Sequence, residues 1–202
     1  MEERRFLAMP VEVREIDGKP SIEGYAAVFN QFSDDLGGWQ EIIRPGAFAG
    51  VLADDVRCLW QHEPLYVLGR RQSETLAIWE DDAGLRYRVT PPDTQWARDV
   101  LVTIRRGDVN QSSFMFIVMP DGERWFLDEK GSVKREIIRY AALYDVGPVT
   151  FPAYPTTTAH ARSKIDELRA QQTSSVAQIA EQLEARARQA VERARVLKLH
   201  GG

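Results

Sequence analysis

Residues 110–120 read NQSSFMFIVMP. Phe114, Phe116 and Val118 alternate with Met115, Ile117 and Met119, the two-residue period of a β-strand. The strand opens on Ser112 and Ser113, which at such an edge are either ladder starters or hydroxyls entering a cleft. The stretch before it has another period. Between Asp93 and Gly107, Trp96, Val100, Leu101 and Ile104 share one helical face, with Asp93 suited to cap the start and Gly107 to end it. A helix thus feeds the strand that begins with paired serines.

Strand signals extend in both directions. Upstream, RRFLAMPVEVRE (4–15) and SIEGYAAVFN (21–30) read as two strands of a hairpin joined at Asp17-Gly18-Lys19-Pro20. QFSDDLGGWQ (31–40) has the makeup of an exposed loop, and EIIRPGAF (41–48) reads as a short strand running into a turn. DVRCLWQHEP (55–64) is a strand stopped by Pro64, and ETLAIWEDDAGLRYRVTPP (74–92) a hairpin about Asp81-Asp82-Ala83-Gly84. Downstream, GERWFLDE (122–129) and REIIRYAALYDVGPVTF (135–151) continue the β character to Pro152.

Beyond Pro155 and Thr156-Thr157-Thr158 the texture changes. Ile165, Leu168, Val176, Ile179, Leu183, Ala187, Ala190, Ala194 and Leu197 follow a helical period with a narrow, alanine-rich stripe. Gln171–Ser175 is a weak point, so this stretch is a helical appendage or a partly disordered linker. The expected protein is therefore mainly β with flanking helices (α+β), as a domain over 1–160 and a helical C-terminal extension over 161–202.

Composition narrows the function classes. The 202 residues are 44% hydrophobic and 28% charged, near globular averages. No run approaches the roughly 18 to 20 apolar residues that span a bilayer, and the first residues lack a signal-peptide core, which predicts a soluble, unexported chain. The single cysteine, Cys58, cannot form an internal disulfide and fits a reducing compartment. The net charge is −4, while Arg162–Lys198 hold eight basic groups against five acidic ones, so the body is acidic and a poor binder of nucleic acid.

Three histidines, His62, His160 and His200, with no HExxH, CxxC, GxGxxG or GxxxxGKS pattern, predict no metal, cofactor or nucleotide. Cys58 lies close to His62 in sequence, yet four residues of strand span roughly 13 Å, so it reads as a small core residue. His62 ends an apolar strand between Trp60 and Pro64, where an imidazole with a pKa of about 6.5 can emerge into a cleft as a base or remain structural. Asp145 lies in LYDVGPVTFPAY (143–154), where burial is costly without a cationic or hydrogen-bonding partner such as an imidazole. A turn carboxylate ahead of Gly147-Pro148 is the plainer reading.

Taken together, EGYAAVFN (23–30), DDLGGWQEIIRPGAF (34–48), DVRCLWQHEPLYVLGR (55–70), IRRGDV (104–109), SFMF (113–116) and LYDVGPVTFPAY resemble, in order, the prohead maturation proteases of tailed bacteriophages. The resemblance covers about Phe6–Tyr154. It implies a compact, assemblin-like β-barrel and a serine endopeptidase inside the viral procapsid, in the host cytoplasm. Its partners would be the major capsid protein with its scaffolding segment and the protease itself, with self-association open and no nucleic acid or membrane required.

Carried over residue by residue, the family's histidine falls on His62, its serine on Ser113 and its acidic residue on Asp145, while Ser112 takes the variable position before the nucleophile. Gln111 and Met115 stand where the family carries small residues. Arg70 and Arg71 are candidate oxyanion donors whose plainer reading is surface charge. A non-enzymatic assembly protein that keeps the barrel is the alternative, and an esterase of another fold lacks the GxSxG elbow.

Overall fold

The computed structural model describes residues 3–7, 11–151 and 159–199. The chain divides into two units, one up to residue 156 and one from residue 157.

The first unit opens with β1 (Glu3–Leu7), β2 (Glu12–Ile16), β3 (Lys19–Val28) and β4 (Trp39–Ile43). β5 (Arg57–Leu59) runs into a 3₁₀ turn over Trp60–His62, followed by β6 (Val67–Arg70), β7 (Leu76–Glu80) and β8 (Gly84–Val89). Helix α1 (Gln95–Arg105) precedes β9 (Gln111–Val118), β10 (Glu123–Leu127), β11 (Val133–Ile137) and β12 (Tyr140–Val149).

These strands form three sheets, in the orders β1-β9-β12-β5-β6, β2-β3-β8-β7 and β10-β11-β4. The mainly β fold with helices is as the sequence predicts. The barrel is not closed, because among the described residues no ladder joins the outer strands of one sheet to those of another. Edge strand β2 carries Glu12, Arg14 and Glu15 exposed to solvent, and charged edges resist further pairing.

The turn chemistry behaves as read. Asp17 and Gly18 sit at φ 51° and 72°, the pair of left-handed residues that a two-residue hairpin needs, and set Ile16 opposite Lys19. At the β7–β8 turn, Asp81 Oδ1 accepts from the backbone N–H of Ala83 (2.9 Å) and Gly84 (3.1 Å). The expected strand over 4–15 is instead two strands in different sheets, β1 beside β9 and β2 beside β3. Pro10, with no N–H to donate, lies between them and outside the described residues.

Helix α1 buries Ala97, Val100, Leu101 and Ile104. Its N-cap is Thr94, whose hydroxyl accepts from Ala97 N–H, and not Asp93, which pairs with Arg98. At the other end Gly107 (φ 81°) donates to Ile104 O at 2.9 Å and Asp108 to Thr103 O at 3.0 Å, a Schellman closure. The reversal aims the chain directly into β9.

The core between the five- and four-stranded sheets holds Phe48, Phe114, Phe116 and Tyr140 in ring contact, with Ile22, Leu85, Tyr87 and Val146. The described residues of the second unit form one helix, α2 (Ala159–Leu199). The helix spans the expected weak point, where Thr173 Oγ1 donates to Arg169 O (3.0 Å) and Ser175 Oγ to Gln171 O (2.9 Å), each hydroxyl satisfied one turn back. The stretch 152–158, where the sequence changes texture, and His200 lie outside the described residues.

Candidate active site

Alternation along β9 sends its two serines to opposite faces. Ser112 shares the core side with Phe114 and Phe116; its hydroxyl meets Tyr87 Oη at 2.8 Å and is fully buried. Ser113 faces the other side of the sheet, opposite Gly147 of β12. Ser112→Ala is therefore expected to retain activity while lowering stability by about 1–3 kcal/mol, because the buried Tyr87 hydroxyl loses its partner. Thermal melting beside a cleavage assay checks both halves.

A bulge brings the carboxylate to the Ser113 face. Leu143 opposes Phe116 on β9 and lies in the core, whereas Asp145, two residues on, opposes Met115. The one-residue shift at Tyr144 breaks the strict alternation that would have left Asp145 among the core side chains. Without it, the carboxylate and the hydroxyl would occupy opposite faces.

The imidazole arrives from the end of β5. Gln61 and His62 both have left-handed backbones, φ 61° and 59°, a conformation costing residues with a Cβ about 1–3 kcal/mol each. Gln61 offsets this by binding Thr150 beside the end of β12: its amide nitrogen donates to Thr150 Oγ1, and Thr150 N–H donates to its Oε1 at 3.1 Å. The turn thereby aims His62 inward over β12. There His62 Nδ1 lies 2.5 Å from Asp145 Oδ1 and His62 Nε2 lies 2.6 Å from Ser113 Oγ. All three side chains are shielded, with side-chain exposures of 8% for His62 and 2% for Asp145, and Ser113 at 0%.

Gly147 makes that approach possible. A Cβ at Gly147 would stand 2.1 Å from the carbonyl oxygen of Leu59, the residue that leads into the histidine turn. Gly147→Ala is expected to push the turn outward and lower kcat/KM by about 10²-fold, the cost of an ångström-scale misplacement. Unchanged kinetics in the folded variant would contradict this.

The other candidates fall away from the site. Cys58 is fully buried on the core face, where burial pushes its thiol pKa well up and the Asp145 charge adds to the effect, so it is inert packing. Arg70 on β6 is three strands from β9, and its guanidinium is taken by Asp55, with Nε to Oδ1 at 2.9 Å. Arg71 opens the exposed turn after β6. Beside Asp145 lies a cavity of about 230 Å³ lined by Arg57, Leu59, Pro64, Val67, Met115 and Tyr144.

Sequence reasoning missed Gln61, Gly147 and the bulge. Only Gly147 carried a signal, since a glycine inside a strand marks close backbone approach.

A serine, a histidine and a carboxylate in hydrogen-bonded sequence is the arrangement of a serine hydrolase. The family comparison agrees. The family model for the caudovirus prohead serine proteases matches residues 9–171. Among solved structures, the bacteriophage T4 capsid assembly protease, gp21, is similar with a TM-score of 0.45 and 12% identity, over 75% of this chain and 98% of that one. No curated protein sequence matches. The family match spans most of the 202 residues, and the chain accordingly belongs to the caudovirus prohead serine proteases.

Proposed function

We propose that Ser113 is the nucleophile, His62 the general base and Asp145 the orienting carboxylate of an endopeptidase that cuts the scaffolding segment of the major capsid protein, and the protease itself, inside the procapsid. The observation that carries this reading is the single imidazole within 2.6 Å of both partners. An ionised Asp145 can only accept, so Nδ1 holds the ring proton and Nε2 is left to accept from Ser113 Oγ–H.

As Oγ bonds to the scissile carbonyl carbon, its proton passes to Nε2 and the positive ring is stabilised by Asp145. The same proton then goes to the leaving amine. Water repeats the sequence on the acyl-enzyme, giving a carboxylic acid and free Ser113. The cavity beside Asp145, with Leu59, Pro64, Val67 and Met115 on its walls, suits an apolar side chain of the bound peptide.

The test is to produce the chain together with its capsid protein and sequence the capsid protein's termini. A new terminus that appears only in the presence of this chain is the expected result. An intact capsid protein, beside folded protease in assembled proheads, would refute the reading.

A further inference from the structure

Ser113 is completely buried, although a peptide has to reach it. Its strand, β9, is flanked by β12, which carries Asp145, and by β1, a five-residue strand at the sheet edge. β1 runs antiparallel to β9, with Phe6 opposite Ser113 and Leu7 opposite Ser112. β12 cannot leave without dismantling the site. β1 can.

A strand paired in the sheet plane lies about 4.8 Å from its neighbour. Attack needs about 3–3.5 Å. Paired β1 therefore occupies the edge beside the nucleophile without itself being placed for cleavage. A substrate need pair with only part of the β9 edge and can lift its scissile bond over Ser113.

The far end of β1 also makes a contact of defined chemistry. The Glu3 carboxylate accepts from both terminal nitrogens of Arg135, at 2.6 and 2.7 Å. Arg135, 2% exposed and beside the rings of Trp39 and Trp125, also donates to Glu41 (2.9 Å) and Glu123 (2.6 Å). When Glu3 departs, two carboxylates still neutralise the buried guanidinium. The Glu3 position is thus an exchangeable carboxylate site and not a partner the core depends on.

We propose that the β9 edge filled by β1 is the lane by which an extended peptide reaches Ser113, with the Arg135 fork as its carboxylate-binding end, and that residues 3–7 keep the protease latent until displaced. The peptide binds antiparallel to β9 by strand addition, with an acidic residue three positions before the one opposite Ser113. The proposal rests on Ser113 being the nucleophile.

The test uses the full chain and a fluorophosphonate that labels active serines. Arg4 and Met115 are directly opposed, so Arg4→Cys with Met115→Cys can lock β1 in place by a disulfide, while Cys58 is buried out of reach. Oxidation is expected to slow labelling and capsid-protein cleavage at least about tenfold relative to the same chain reduced. Glu3→Gln, which loosens the latch, is expected to speed labelling at least about threefold, as freeing a blocked population does. The synthetic peptide MEERRFLAM should inhibit that variant at least about threefold more strongly than the same peptide with glutamine at its third position.

Equal rates in the oxidised and reduced chains, a Glu3→Gln chain no faster than the parent, or equal inhibition by the two peptides overturns the proposal. Labelling that survives Ser113→Ala overturns the nucleophile assignment itself, and this proposal with it.

Discussion

Ser113→Ala is expected to lower kcat for capsid-protein cleavage by about 10⁶-fold, the scale on which loss of a triad serine acts, and to leave the protein folded. The substitution removes one oxygen from a site whose other members keep their positions. Asp145 still holds His62 Nδ1 at 2.5 Å, and Gly147 still admits the turn under Leu59. What disappears is the hydroxyl that lies 2.6 Å from Nε2. The neighbouring Ser112 cannot substitute, because its side chain is bonded to Tyr87 on the core face of the sheet. Cleavage products by mass spectrometry, beside a thermal melt, measure both quantities. Retained cleavage in this variant, with loss in Ser112→Ala, would move the nucleophile by one residue.

Asp145→Asn is expected to reduce turnover by up to about 10⁴-fold with the backbone undisturbed. The side chain is nearly isosteric and buried, so the loss comes from protonation geometry. An amide that donates to Nδ1 leaves the ring proton on Nε2, the tautomer that cannot accept from Ser113. An amide that accepts keeps the correct tautomer but lacks the charge that stabilises the imidazolium. Both routes affect kcat far more than KM, since both act on the imidazole that moves the proton. Near-normal turnover would make Asp145 a structural carboxylate.

The sequence was most legible where chemistry is local. Asp17-Gly18 specified a hairpin because few other pairs accept two left-handed residues in succession, and Gly107 ended α1 for the same reason. The period change from α1 to β9 was visible because buried side chains recur every 3.6 residues in one and every two in the other. The three sheets could not be read in this way, since pairing such as β1 with β9 joins residues more than a hundred positions apart. The resemblance suggested a barrel; the charges along β2 leave that edge open.

Within the site, the residue types at positions 62, 113 and 145 drew notice in advance. The devices that unite them did not. Strict alternation puts Asp145 on the same face as Leu143, and the residue that breaks the alternation, Tyr144, has nothing in its chemistry to announce a bulge. Gln61 lies between Trp60 and His62 as an unremarked polar residue. Its grip on Thr150 links positions 89 residues apart and holds His62 in an unfavourable backbone conformation. Long-range contacts of this kind depend on the completed sheet and leave no periodic trace.

The most direct measurement is the identity of the residue that an active-serine fluorophosphonate modifies in the folded chain. Peptide mapping should place the adduct on Ser113, with labelling lost in His62→Ala. An adduct on Ser112, or labelling that proceeds equally well without His62, would contradict the account.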